Sequence, residues 1–108
     1  MEKLTINLIN KCYYCEMLKK LLQKLDIDYQ KLIVSEKNKD NFKDKNISTF
    51  PQVYYHHKKT KVLLGGYTEF LKIINHIISN LKIKDLPLKT SKKNKIRIYT
   101  FLVKQLRI

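Results

Sequence analysis

The chain has 108 residues, 44% of them hydrophobic, which is enough for one core and too little for two. No run approaches the roughly 20 apolar residues that span a bilayer, and the opening Met-Glu-Lys-Leu-Thr-Ile-Asn lacks the apolar stretch of a secretory leader. A formal charge of +14 raises nucleic-acid binding, but arginine occurs only twice, and specific binders lean on arginine for bidentate contacts. No specific nucleic-acid partner and no transmembrane segment are therefore expected. The expected setting is cytoplasmic and reducing, where a single close cysteine pair argues for catalysis or metal binding over a structural staple.

Leu4, Ile6 and Leu8 alternate with Thr5 and Asn7, the period of a strand running to Ile9. A Cys-Tyr-Tyr-Cys box follows at 12–15, holding both cysteines of the chain. Behind it Met17, Leu18, Leu21, Leu22 and Leu25 recur at helical spacing, predicting a helix that ends near Asp26. Tyr29 to Val34 reads as a second strand, with Leu32 to Val34 expected in the core. Ser35 to Asn46 is polar, with Phe42 and Ile47 as its apolar anchors, and is expected to form a short exposed helix. Pro51 opens a strand over Gln52–His56, and a turn at 57–60 leads to a partner over Lys61–Leu64.

Gly65 and Gly66 interrupt that pattern, and Phe70, Leu71, Ile74, Ile77, Ile78 and Leu81 mark a second helix. The order β-α-β-α-β-β-α implies an α/β fold, with parallel pairing of the first two strands, an antiparallel hairpin, and helices on both faces of a four-stranded mixed sheet. We divide the chain into a domain over 1–84 and a basic C-terminal extension over 85–108. The extension carries seven basic residues against one acidic one. Lys89 to Lys95 looks like a linker. Beyond it Tyr99, Leu102, Val103 and Leu106 fall at helical spacing, while Ile96 and Ile98 alternate like a strand. A helix packed on the domain is expected, with a basic amphipathic segment for a partner or membrane surface as the alternative.

The cysteine box stands where a strand gives way to a helix. Free N–H groups and the positive end of the dipole at a helix start pull a thiol below its free pKa of ~8.5. C-x-x-C alone is shared with zinc knuckles, but His56, His57 and His76 do not have zinc-ligand spacing with it, and no metal site is expected. Exposed histidines without a special role are the simpler reading. The box, Thr49-Phe50-Pro51 ahead of a strand, and Gly65-Gly66 ahead of a helix together resemble the glutaredoxin family over residues 3 to 82.

That resemblance implies a thioredoxin-like fold and a glutathione-dependent thiol–disulfide oxidoreductase. It implies Cys12 as nucleophile, Cys15 as resolving thiol, and a redox-active Cys12–Cys15 disulfide. Pro51 is expected after a cis bond, with the backbone of Phe50 pairing with glutathione. Thr49, Lys11 and Tyr14 are expected to line the glutathione groove, with Gly66, Tyr67 and Thr68 receiving the γ-glutamyl carboxylate at a helix N-terminus. No cofactor is expected to be bound permanently. Glutathione is the expected co-substrate, proteins with disulfides or glutathione adducts are the expected partners, and the chain is expected to be a monomer.

The pattern also departs from the family. Tyr13 stands where proline is most common, Ile9 where a lysine is usual, and Ser48 at an often basic position, leaving Lys11 or Lys45 for the glycyl carboxylate. Two alternatives follow from the same residues. One is a [2Fe–2S] cluster-binding module ligated through glutathione. The other is a thioredoxin-like reductant of one dedicated partner docked on the basic tail.

Overall fold

The computed structural model describes residues 1–108 and contains β1 (Glu2–Leu8), α1 (Tyr13–Leu25), β2 (Gln30–Ile33), β3 (Gln52–His57), β4 (Thr60–Gly65), α2 (Tyr67–Ile78) and α3 (Lys92–Leu106). The four strands form one sheet in the order β2-β1-β3-β4. β1 runs parallel to β2 and antiparallel to β3, and β3 pairs antiparallel with β4. The element order implied this mixed sheet, and the family resemblance implied that it is the sheet of a thioredoxin-like fold.

Strand alternation decides which side is buried. Leu4, Ile6 and Leu8 of β1 share a face with Val53 and Tyr55 of β3, and all five are at most 1% exposed. Leu18 and Leu22 of α1, Phe70, Ile73, Ile74 and Ile77 of α2, and Ile98 and Leu102 of α3 cover that face. A one-residue bulge at Leu64, opposite Val53 and Tyr54, keeps β4 in register with the same core.

Coverage of the sheet is uneven. All three α-helices join the core on that side, and the other side carries only a 3-10 turn (Lys39–Phe42) within Ser35 to Asn46, where a short exposed helix was expected. The segment has no apolar stripe to extend a helix. Its two apolar anchors both turn inward, Phe42 half-buried and Ile47 buried, and the Phe42 carbonyl accepts from the Gln52 side chain at 2.7 Å. Asn7 donates from its side-chain amide to Gln52 Oε1 at 3.1 Å, so the fully buried Gln52 amide is satisfied on both ends.

Three expectations give way here. Leu32 and Ile33 are 50% and 47% exposed, and only Val34 reaches the core, because β2 is an edge strand with no helix over its outer half. In α2 the buried stripe runs through Ile73 instead of Ile78, and Ile78 and Leu81 lie near the helix end at 52% exposure. His76, expected to be exposed, is buried. Its Nε2 lies 2.7 Å from the Lys82 carbonyl oxygen, and its ring meets the edge of Tyr99.

The basic tail forms a helix docked on the core. Ser91 caps α3 by accepting from the Asn94 N–H at 3.1 Å, so Lys92 to Lys95 belong to its first turn and not to a linker. Ile96 and Ile98 are helical, and Phe101 packs edge-on against Tyr55 at 5.5 Å between ring centroids. The Tyr99 hydroxyl donates to the Leu81 carbonyl, and the end of α3 meets the end of α1 through an Arg107–Asp26 ion pair at 2.8 Å.

His56, on the side away from the helices, is expected to make the fold sensitive to acid. Its ring sits 2.6 Å from the Thr5 hydroxyl, and burial first, then Lys61 and Lys3, hold its pKa below the usual 6.5. Below that pH the unfolded chain binds a proton that the folded chain resists, so stability present above about pH 6.5 is lost as pH falls. The urea midpoint is expected to drop between about pH 7.5 and about pH 5.5, and to drop less in His56→Gln. Equal drops in the two proteins would remove His56 as the cause.

Candidate active site

β1 and β4 end, and β3 begins, at one edge of the sheet, because β3 runs opposite to both neighbours. Three loops therefore converge there: the cysteine box after β1, Thr49-Phe50-Pro51 before β3, and Gly65-Gly66 after β4. No two of these are adjacent in sequence.

Cys12 is the N-cap of α1, with extended backbone angles, and its sulfur accepts from the Cys15 N–H at 3.1 Å. Lys11 before it takes a left-handed φ of 54°, which turns the chain sharply from strand into helix. Cys12 and Cys15 are joined as a disulfide across the first helical turn, with Cα atoms 5.2 Å apart. Cys15 is 2% exposed, whereas Cys12 is only partly buried. The two sulfurs thus differ in access, the outer one standing at the positive end of the helix dipole.

The Phe50–Pro51 peptide bond is cis, and the Phe50 carbonyl oxygen lies 3.7 Å from the Cys12 sulfur. The ring of Phe50 is buried in the core while Thr49 stays exposed. On the third side, Gly65 has φ of 109°, a region closed to other residues, and an added Cβ would stand 2.4 Å from Glu69 Cβ. Gly66 caps α2, where a Cβ would come within 3.4 Å of the Pro51 carbonyl. Tyr67 opens α2 with its ring 6.0 Å from that of Tyr14, closing the circle back to the cysteine box.

The N–H groups of Tyr67 and Thr68 lie in the first turn of α2, where a helix offers them no carbonyl partner. Glu69 reaches back into that turn, and its carboxylate accepts from the Gly66 N–H at 2.9 Å. This contact was not expected, although Gly66 followed three residues later by glutamate is half of a capping-box signature. Lys11 is exposed and, like Lys45, makes no ion pair. Tyr13 and Tyr14 stand out at 71% and 53% exposure, edge to face with each other. No three His, Cys, Asp or Glu side chains converge anywhere in the fold, and the histidines stand apart from the cysteines.

A mixed thioredoxin-like sheet that presents a cysteine pair at the start of its first helix, beside a cis-proline loop, defines a thiol–disulfide oxidoreductase of dithiol type. The sequence profile of the glutaredoxin family matches residues 4–59, just over half of the chain. The protein belongs to the glutaredoxin family. A crystal structure of glutaredoxin 1 from Francisella tularensis, complexed with cacodylate, is similar at TM-score 0.59 and 24% identity, covering 73% of this chain and 99% of that one. That likeness shows the fold, and it leaves about a quarter of this chain without a counterpart. None of the curated proteins compared matches the chain.

Proposed function

We propose that the protein uses glutathione to reduce protein disulfides and glutathione mixed disulfides in the cytoplasm. The observation that carries this reading is the convergence of Cys12 with two backbone segments, Phe50–Pro51 and the start of α2. A cysteinyl peptide lying along Phe50 places its sulfur against Cys12. Its γ-glutamyl carboxylate then falls toward the Tyr67 and Thr68 N–H groups, a ready anion site. Thr49, Tyr14 and Gly66 line the same groove, and Lys11 supplies the nearest exposed cation in sequence for the second carboxylate.

The chemistry balances as two thiol–disulfide exchanges. The Cys12 thiolate attacks one substrate sulfur, and the departing thiolate takes a proton. Cys15 then attacks the Cys12 sulfur and releases the second thiol, so the protein loses two electrons. One glutathione opens the Cys12–Cys15 bond at Cys12. A second removes the glutathionyl group as glutathione disulfide and restores the dithiol.

A glutathione titration coupled to disulfide reduction tests this. Saturable turnover with glutathione is expected. Turnover sustained only by a thioredoxin reductase system would overturn the glutathione reading and favour a dedicated dithiol partner. Glu69 gives a finer check, because its carboxylate sits at the turn assigned to the ligand's own carboxylate. Glu69→Gln keeps the hydrogen bond to Gly66 and removes the repulsion, so the KM for glutathione is expected to fall about threefold, the size of one charge at a helix terminus. An unchanged or raised KM would take the γ-glutamyl group away from α2.

A further inference from the structure

A groove of about 390 Å³ begins at Tyr13 and Tyr67, beside the reactive box, and runs down α1 past Met17 and Leu21 to Lys24. Its floor is apolar and its rim is basic. Lys20 and Lys24 make no ion pair, and the one carboxylate on the groove, Glu16, is held by Lys19 at 2.6 Å. None of these rim lysines belongs to the glutathione groove described above. Tyr13, the most exposed ring in the molecule at 71%, stands at the mouth between the groove and Cys12.

From Tyr13 to Lys24 the helix rises about 16 Å, the reach of about five residues of extended chain. We infer that this groove seats the flank of a protein substrate: an extended segment next to the target cysteine that carries an apolar or aromatic side chain and acidic residues. The apolar floor takes the former, and Lys20 and Lys24 take the latter. A carrier with 23 basic and 9 acidic residues attracts such a segment from a distance, and the two groove lysines give that attraction a place. The inference rests on the proposed disulfide exchange at Cys12 and names the kind of protein that exchange would serve.

The test needs no glutathione. The reduced protein is mixed in a single turnover with a peptide disulfide flanked by acidic and apolar residues, with a basic-flanked peptide of equal length, and with 2-hydroxyethyl disulfide. Formation of the Cys12–Cys15 bond is followed by quenching and mass spectrometry. Cys12 attacks the peptide disulfide, one peptide thiol leaves, and Cys15 displaces the other, so two electrons pass to the peptide. At low salt the acidic peptide is expected to react about tenfold faster than the basic one.

Lys20→Glu with Lys24→Glu is expected to erase that preference and leave 2-hydroxyethyl disulfide unaffected. Lys92→Glu with Lys93→Glu, equal in charge but placed on α3, is expected to preserve the preference. Equal rates for the two peptides, or an equal loss in both double variants, would overturn the groove. The proposed exchange itself would survive that result, since it fails only if no disulfide, including the small neutral one, oxidises the pair.

Discussion

Cys12→Ser is expected to abolish disulfide exchange with every substrate, while Cys15→Ser traps substrate on Cys12. The asymmetry comes from position. Cys12 caps α1 with its sulfur partly open and facing the Phe50 carbonyl, and Cys15 is one turn inside at 2% exposure. We propose that in the reduced protein the Cys15 N–H and the helix dipole stabilise a thiolate at Cys12, which acts as the nucleophile. Alkylation by iodoacetamide at neutral pH should therefore label Cys12 far ahead of Cys15. In Cys15→Ser the first exchange proceeds and the second lacks its attacking thiol, so a mixed disulfide accumulates and is visible by non-reducing electrophoresis. Glutathione adducts, which need only Cys12, should still turn over. Equal loss in the two variants would refute these roles.

The second large effect lies far from the sulfurs. A chain cut after Leu88 is expected to be unfolded, although the cut spares every residue of the candidate active site. α3 contributes Ile98, Phe101 and Leu102 to the core at 0%, 7% and 0% exposure. Burial of such side chains is worth about 1.5–3 kcal/mol each, so the helix supplies about 5–9 kcal/mol. That is the scale of a small domain's whole stability, about 5–15 kcal/mol. Removing α3 also bares the ring of Tyr55, which Phe101 covers. Phe101→Ala alone should cost about 3 kcal/mol in a urea titration. A truncated chain with an unchanged cooperative midpoint would make the helix an ornament. The division at residue 84 therefore separates sequence patterns, and we propose that folding requires both sides of it.

Economy of glycine separates the site from the scaffold. The chain has two glycines. Helix ends at Asp26, Asn80 and Arg107, the hairpin at Lys58 and the turn at Lys11 all take left-handed backbone without one. Such angles cost a side chain about 1–2 kcal/mol. Gly65, at φ of 109°, has no such substitute, and Gly66 lies against the Pro51 carbonyl. Both glycines stand at the candidate site, where backbone approach is closest.

Local chemistry was legible from the residue order. Strand alternation in β1, the leucine stripe of α1 and the cysteine box between them depend on neighbours a few residues apart, and so does the helix stop at Asp26. The three motifs of the site could be named for the same reason, since each is a short run with its own backbone demand. Their convergence in one groove was implied by the family resemblance alone, while the exposure of Leu32 and Ile33 and the burial of His76 came only from the tertiary structure. So did the docking of α3 on Tyr55, the carboxylate of Glu69 in the α2 cap and the lysine-rimmed groove along α1. Each of these depends on which distant segment covers a surface, and a periodic pattern records that a side chain is apolar without recording what will lie over it.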